Sequence, residues 1–292
     1  MPENSSLVAQ TDMGQTGVGR IAFQGEPGAY SHQACRQSRP DMEPVPCATF
    51  EEVIDQVRRG DCDLGMLAVE NSTYGRVADV HSLLPQSGLH IVDEAFVRVH
   101  VNLLAVKGAT IADVKRVRCM AILHGQARGF IRDHKLATLN WHDNAAGARE
   151  VAALGDKAEG ALASELAGEI YGLDVLARQI EDQPNNTTRF LVMSREADHS
   201  RRGTKMMTTF IFRVRNIPAA LYKAMGGFAT NGVNMTKLES YMIGGSFTAT
   251  EFYADIEGHP DDAPVRRALE ELAYFTTHLQ ILGVYPEDRQ RG

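Results

Sequence analysis

The chain has 292 residues, 43% of them hydrophobic and 23% charged, with a formal net charge of −7. That balance suits about two globular domains with sizeable cores and excludes the basic footprint of a nucleic-acid binder. It leaves room for a small anionic ligand, because a few local arginines dominate the field of a narrow pocket.

The first nineteen residues, Met1 to Gly19, carry neither a basic segment nor an apolar run, and read as a disordered tail rather than a signal peptide. From Arg20, short apolar runs alternate with helical patterns. Ile21–Phe23 predicts a strand, the Gly25-Glu26-Pro27-Gly28 stretch a turn, and a helix follows from about Ser31. Thr49 and Glu52 have the spacing of a capping box ahead of Val53, Ile54 and Val57. Leu64–Val69 and Ile91–Val99 are continuous apolar runs of the kind found in strands covered on both faces, and Leu103–Val106 predicts another strand. The alternation argues for an α/β arrangement with largely parallel sheets.

Asp143 and Asn144 open a helix carrying Ala145, Ala146, Ala148, Val151 and Ala152, where an aspartate suits both the cap and the helix dipole. Gly160–Ser164 leads into a helix ending at Tyr171, and Arg189–Met193 predicts a strand that returns to the first unit. Two lobes joined by two crossings leave a cleft between them, a usual seat for small ligands. After a charged linker, Phe210, Phe212 and Val214 alternate as in a strand, Pro218 precedes an amphipathic helix that Asn231-Gly232 ends, and Gly244-Gly245 marks a hairpin. Val265, Leu269, Leu272 and Ala273 predict a second helix and Leu279–Val284 a last strand, giving a ferredoxin-like βαββαβ order. The expected division is a tail over 1–19, a two-lobed unit over 20–196 (lobe 1 about 20–101 plus 179–196, lobe 2 about 102–178), a linker over 197–206 and the βαββαβ module over 207–288.

No stretch reaches the roughly 18 consecutive apolar residues of a membrane span, so a cytoplasmic protein without membrane contact is expected. Cys35, Cys47, Cys62 and Cys119 form no CxxC pair, which predicts reduced, mostly buried thiols. The histidines show no HExxH-like spacing, and no metal site is expected.

The polar residues at the ends of predicted elements carry the chemistry. In Asn186-Thr187-Thr188-Arg189-Phe190 an arginine fork suits a carboxylate, and a neighbouring hydroxyl can give a proton to a leaving oxygen. By itself this pentapeptide reads more simply as a threonine-rich strand entry with a surface arginine. Four further segments stand in order before it: Gly25-Glu26-Pro27-Gly28-Ala29-Tyr30-Ser31, Val69-Glu70-Asn71-Ser72 with Gly75, Asp143-Asn144-Ala145-Ala146-Gly147-Ala148, and Ala163-Ser164 with Ile170-Tyr171-Gly172-Leu173. Together these segments, from about Arg20 to Glu196, resemble the prephenate dehydratases: their glycine-rich first loop, "ENS" segment, "DTAGAA" helix start, "AS…YGL" stretch and "N-x-T-R-F" signature. The βαββαβ module resembles an ACT domain.

The resemblance implies a two-lobed, type II periplasmic-binding-protein-like catalytic domain followed by a ferredoxin-like ACT domain. It implies conversion of prephenate to phenylpyruvate, driven by aromatisation without cofactor or metal. Thr188 would assist departure of the hydroxyl and Glu70 would orient the network. Arg189 would hold a substrate carboxylate, and Phe190, Asn186, Asn71, Ser72, Gln126, Ala29, Tyr30, Ser31 and Asn144 would line the cleft. Cys119 stands where the family has a serine, Met120 where it has a histidine, Asn144 where it has threonine, and Ala29 where many members carry threonine. These departures bear on substrate choice. A loop resembling that of plant arogenate dehydratases keeps arogenate open as substrate, and a binding protein without catalysis is the reading from another class. In the module, Ala219-Ala220-Leu221 and Glu239-Ser240 stand at the family's "GALV" and "ESRP" positions, with Tyr241-Met242 replacing the Arg-Pro pair. L-phenylalanine is the implied allosteric effector, and a homodimer or homotetramer the implied assembly; a module that only dimerises the enzyme is the alternative.

Overall fold

The computed structural model describes residues 18–200, 205–242 and 249–291. The expected Gly244-Gly245 hairpin and most of the expected N-terminal tail lie outside the described residues. The chain opens with β1 (Arg20–Gln24), α1 (Tyr30–Ser38), β2 (Glu43–Cys47), α2 (Phe50–Arg59), β3 (Leu64–Asn71), β4 (Gly75–Arg76), α3 (Ala78–Leu83) and β5 (His90–Arg98). The predicted cap at α2 forms: Thr49 Oγ1 accepts from Glu52 N at 3.1 Å, while the Glu52 carboxylate reaches back to Ala48 N at 2.7 Å.

The chain then crosses to a second sheet built from β6 (Asn102–Ala105), β7 (Arg116–Cys119), α4 (Ala121–Gln126), α5 (Arg128–Asp133), β8 (Ala137–Asn140), α6 (Asn144–Leu154), β9 (Glu159–Ala163), α7 (Glu165–Tyr171) and β10 (Asp174–Ala177). Asp143 caps α6 through Ala146 N at 2.9 Å, and Ser164 caps α7 through Ala167 N at 3.0 Å. β11 (Thr187–Ser194) returns to the first sheet. The remainder is β12 (Met206–Val214), α8 (Ala220–Thr230), β13 (Met235–Met242), β14 (Ala249–Glu257), α9 (Ala263–Phe275) and β15 (Thr276–Pro286).

The two sheets are mixed rather than largely parallel. β1 pairs in parallel with β2 and β3, but β11 lies antiparallel between β3 and β5. β11 enters the first lobe from the second, so it runs against the strands that left that lobe. In the second sheet, ordered β10-β6-β9-β7-β8, β7 is parallel to β8 and β9 while β6 is antiparallel to both its neighbours. The C-terminal module has the strand order β13-β14-β12-β15, the ferredoxin-like arrangement of a βαββαβ unit.

Two junctions set the relation of these parts. The segments that cross between lobes lie side by side, with Val99 N donating to Asn186 O and Ile180 N to Val101 O, both at 2.9 Å. The first sheet also continues into the module, because β15 pairs with β5 at Gly283 and Ile91. A side chain at Gly283 would run into the Ile91 backbone, so only glycine allows this approach. Apolar clusters fill the second lobe and the space between the module's sheet and its two helices, while the main first-lobe cluster continues into the module through Met207, Ile211, Tyr253, Leu282 and Tyr285.

Candidate active site

The end of β3 meets the start of β11 where the lobes join, and the pleat sorts the polar residues there onto two faces. Thr188 pairs with Asn71 and Arg189 with Glu70, so neighbours in sequence face opposite ways. On one face, Asn71 Nδ2 donates to Thr188 Oγ1 at 3.0 Å and to Asn186 Oδ1 at 2.6 Å. Asn71 Oδ1 in turn accepts from Thr73 N and Tyr74 N, which fixes the amide's orientation. The consequence is chemical. With its acceptor side taken by Asn71, the Thr188 hydroxyl is left to donate its proton elsewhere.

Asn186 is 1% exposed, and its Nδ2 is buried with no partner, as is Oε1 of buried Gln126. Both residues line one cavity of about 230 Å³ with Thr73, Tyr74, Arg128 and Glu181. Two residues that line the same cavity thus each keep a polar atom without a protein partner, which sets this end of the cleft apart from the bonded core around it. Tyr74 closes one side by donating to Ile122 O at 3.2 Å across the lobes. Arg128 is exposed and makes no ion pair among the described residues. A second cavity, of about 510 Å³, is bounded by the Gln24–Glu26 loop and Cys47 of the first lobe and by His142 and Asp143 of the second. Burial pushes the Asp143 carboxyl above its usual range.

The opposite face carries a different system. The Arg189 side chain is 2% exposed; its Nε donates to Glu94 at 2.9 Å, its Nη1 to Asp255 at 2.6 Å and its Nη2 to the Tyr285 hydroxyl at 2.9 Å. Glu70 lies 3.4 Å from this guanidinium and also takes an ion pair from Lys237. Burial works against the Glu70 charge, but the Lys237 bond and Arg189 hold its carboxyl below the usual range. Arg189 and Glu70 thus bind the C-terminal module, and the guanidinium has its acceptors supplied from within the protein.

The other expected site residues divide between scaffold and cleft edge. Phe190 is buried in the first-lobe core with Phe23 and Met66. Ser72 staples the loop to β11, donating to Asn185 O and accepting from Thr187 N, both at 2.9 Å. Asn144 Oδ1 accepts from Met120 N at 2.9 Å, holding the turn after β7. Cys119 is fully buried, and burial pushes its thiol up to about 12, so it is a neutral core group. Ala29 stands at the N-cap of α1, Ser31 is buried in its first turn, and the Tyr30 hydroxyl donates to His100 O at 2.8 Å. In the module, Ala219 precedes α8 with a left-handed φ of 61°, followed by Ala220 and Leu221. Glu239 faces the first lobe and Arg76, whereas the Ser240 side chain is exposed. The cavity that Glu239 lines does not include Ala219, Ala220 or Leu221.

Tyr74, Arg128 and Lys237 were not singled out from the sequence. Arg128 follows Gln126 by two residues, but only the break between α4 and α5 turns it to the cavity. Among the described residues, no three His, Cys, Asp or Glu side chains converge as metal ligands, and no helix is long and apolar enough to cross a membrane.

A family model described as prephenate dehydratase matches residues 21–198. The chain is 51% identical over 267 residues to a bifunctional N-acyl-homoserine lactone acylase/prephenate dehydratase of Komagataeibacter europaeus, covering 91% of this chain and 95% of that one. It is 35% identical over 286 residues to the chloroplastic arogenate dehydratase/prephenate dehydratase 1 of Arabidopsis thaliana, covering 93% of this chain and 73% of the relative. Among solved structures, a prephenate dehydratase from Arthrobacter aurescens in complex with L-Phe superposes with a TM-score of 0.84 at 28% identity, covering 92% and 90% of the two chains.

Proposed function

The chain belongs to the prephenate dehydratase family of lyases, and on that premise we propose that it converts prephenate to phenylpyruvate in L-phenylalanine biosynthesis. The observation that carries this reading is the Asn71–Thr188–Asn186 network beside a cavity lined by Asn186 and Gln126, each with a polar atom that has no protein partner. In the reaction the ring carboxylate leaves as carbon dioxide, its bonding pair enters the ring, and the hydroxyl departs from the opposite carbon as water. The Thr188 hydroxyl, its acceptor side held by Asn71, donates toward the leaving oxygen. Threonine is a weak acid, so orientation within the network supplies much of the effect. Asn186 Nδ2 and Gln126 hold the substrate's polar groups. With Arg189 engaged in the module, the cation for a substrate carboxylate is Arg128, which lines the same cavity.

Arogenate is the second reading, favoured by the Arabidopsis relative named for both substrates and by Asp182, an exposed carboxylate lining the Arg128 cavity that suits an ammonium group. Comparing initial rates on the two substrates decides between them, and absence of product from either removes the assignment. The Komagataeibacter relative adds N-acyl-homoserine lactone hydrolysis as a third arm of the same assay. The βαββαβ unit is read as an ACT domain over 207–288 that follows a catalytic unit over 20–196. L-phenylalanine is its effector, in keeping with the L-Phe complex of the Arthrobacter protein. A cytoplasmic homodimer or homotetramer completes the reading.

A further inference from the structure

β13 of the module presents alternate side chains to the catalytic lobe, and these meet the hairpin that carries Asn71. Lys237, Glu239 and Tyr241 are half-buried while Leu238, Ser240 and Met242 between them are exposed. Lys237 pairs with Glu70, the residue before Asn71. Glu239 lies 3.5 Å from Arg76 of β4, whose guanidinium also donates to Ser240 O and sits 5.3 Å from the Tyr241 ring centre. The Tyr241 hydroxyl meets His81 Nδ1 at 2.5 Å.

The third contact reaches the backbone. The register of β3 on β11 slips between Glu70 and Ala68, so Val69 is the extra residue of a bulge beside the site. Its carbonyl accepts from Val77 N at 2.9 Å and bonds His81 Nε2 at 3.1 Å. A carbonyl only accepts, so Nε2 carries the proton, Nδ1 is the acceptor, and Tyr241 donates to it. The bulge carbonyl, Glu70 and Arg76 are thus each held by a different inward residue of β13, and together they bracket Asn71.

We propose that Lys237, Glu239 and Tyr241 are positioning residues for the reaction, fixing Asn71 and through it the proton-donating orientation of Thr188. This rests on the function proposed above. The module is then a working part of the catalytic site before any effector binds.

The test uses the full chain and measures kcat, KM and Tm on prephenate, or on arogenate if that is the better substrate. Lys237→Met should lower kcat about tenfold or more with KM within about twofold, since small displacements of an oriented group are costly. Lys237→Arg, which keeps a cation for Glu70, should recover most of that loss. Tyr241→Phe removes one hydroxyl without removing bulk and should lower kcat severalfold; it serves as the deciding variant if Lys237→Met does not fold. A Tm loss with kcat unchanged per folded molecule in both variants would mean ordinary interface packing and would overturn the proposal. A wild-type protein that turns over neither substrate defeats the proposed function itself, and the positioning role with it, whereas normal wild-type turnover with unaffected variants defeats only the latter.

Discussion

What Thr188 does depends on which side of its hydroxyl is free. Asn71 Nδ2 occupies the acceptor side at 3.0 Å and is locked there because its own oxygen is taken by Thr73 N and Tyr74 N. Replacing Thr188 with alanine should therefore lower kcat by about 10²–10³-fold, the range of a lost proton donor, while Thr188→Ser keeps most activity. Arg128 is expected to act on the other parameter. Arg128→Gln should raise KM with kcat little changed, the pattern of a lost binding contact. Arg189 differs from both. Arg189→Met would leave the buried Glu94 and Asp255 with Arg291 as their one remaining cation among the described residues, a loss of about 3 kcal/mol that chemical denaturation should detect. If Arg189→Met unfolds at wild-type denaturant concentration yet binds substrate poorly, the guanidinium serves the cleft after all.

The strand pleat explains why the signature around Thr188 was only half readable from sequence. The residues were found, but adjacent side chains of a strand face opposite ways, and no one-dimensional pattern says which way is the cleft. Helix starts were more legible, because Thr49, Asp143 and Ser164 close their caps with bonds local in sequence. The mixed sheet was not, since the direction of β11 follows from its crossing between lobes. Nor was the junction at Asp255, a fully buried carboxylate on β14 whose partners lie far away in the chain. The first loop joins a local requirement, a positive φ, to a distant one, close packing on the second lobe. Gly28 has φ +97°, an added Cβ would sit 2.7 Å from Ala167 Cα, and the Gly28 carbonyl accepts from Ser164 Oγ at 2.5 Å. Gly28→Ala should therefore push the loop off the second lobe, at a cost of about 1–3 kcal/mol of backbone strain, and Tm should fall more than for Ser164→Ala.

The first lobe and the module share one sheet, and beside the apolar cluster that joins them lies a buried ionic network. Arg189, Arg291 and Lys237 interleave there with Glu94, Asp255 and Glu70, while Thr209 and Tyr285 take up remaining bonds. Burial penalises the Asp255 charge, but Arg189, the Thr209 hydroxyl and Arg291 hold its carboxyl below the usual range, as Lys237 and Arg189 do for Glu70. His81 is held down by burial and by Lys237, so it stays neutral as its bonds to Val69 and Tyr241 require. All three shifts are downward, as are those of His32 and His124 outside the junction, so these groups bind more protons in the unfolded chain and make stability fall with falling pH, while the raised Asp143 carboxyl opposes them at the acid end. The loss begins as pH drops below about 6.5, where an unfolded histidine protonates, and deepens below about 4 as Asp255 and Glu70 are titrated. Denaturant titrations from pH 7.5 to 3.5 should show this decline. Most of it should survive raised salt, because a buried cluster is poorly screened. In Asp255→Asn the deeper, acid limb should flatten while the step near 6.5 remains, because His81 reaches the module through Tyr241 and not through Arg189. An acid limb as steep in Asp255→Asn as in the wild type would place the acid lability outside this junction.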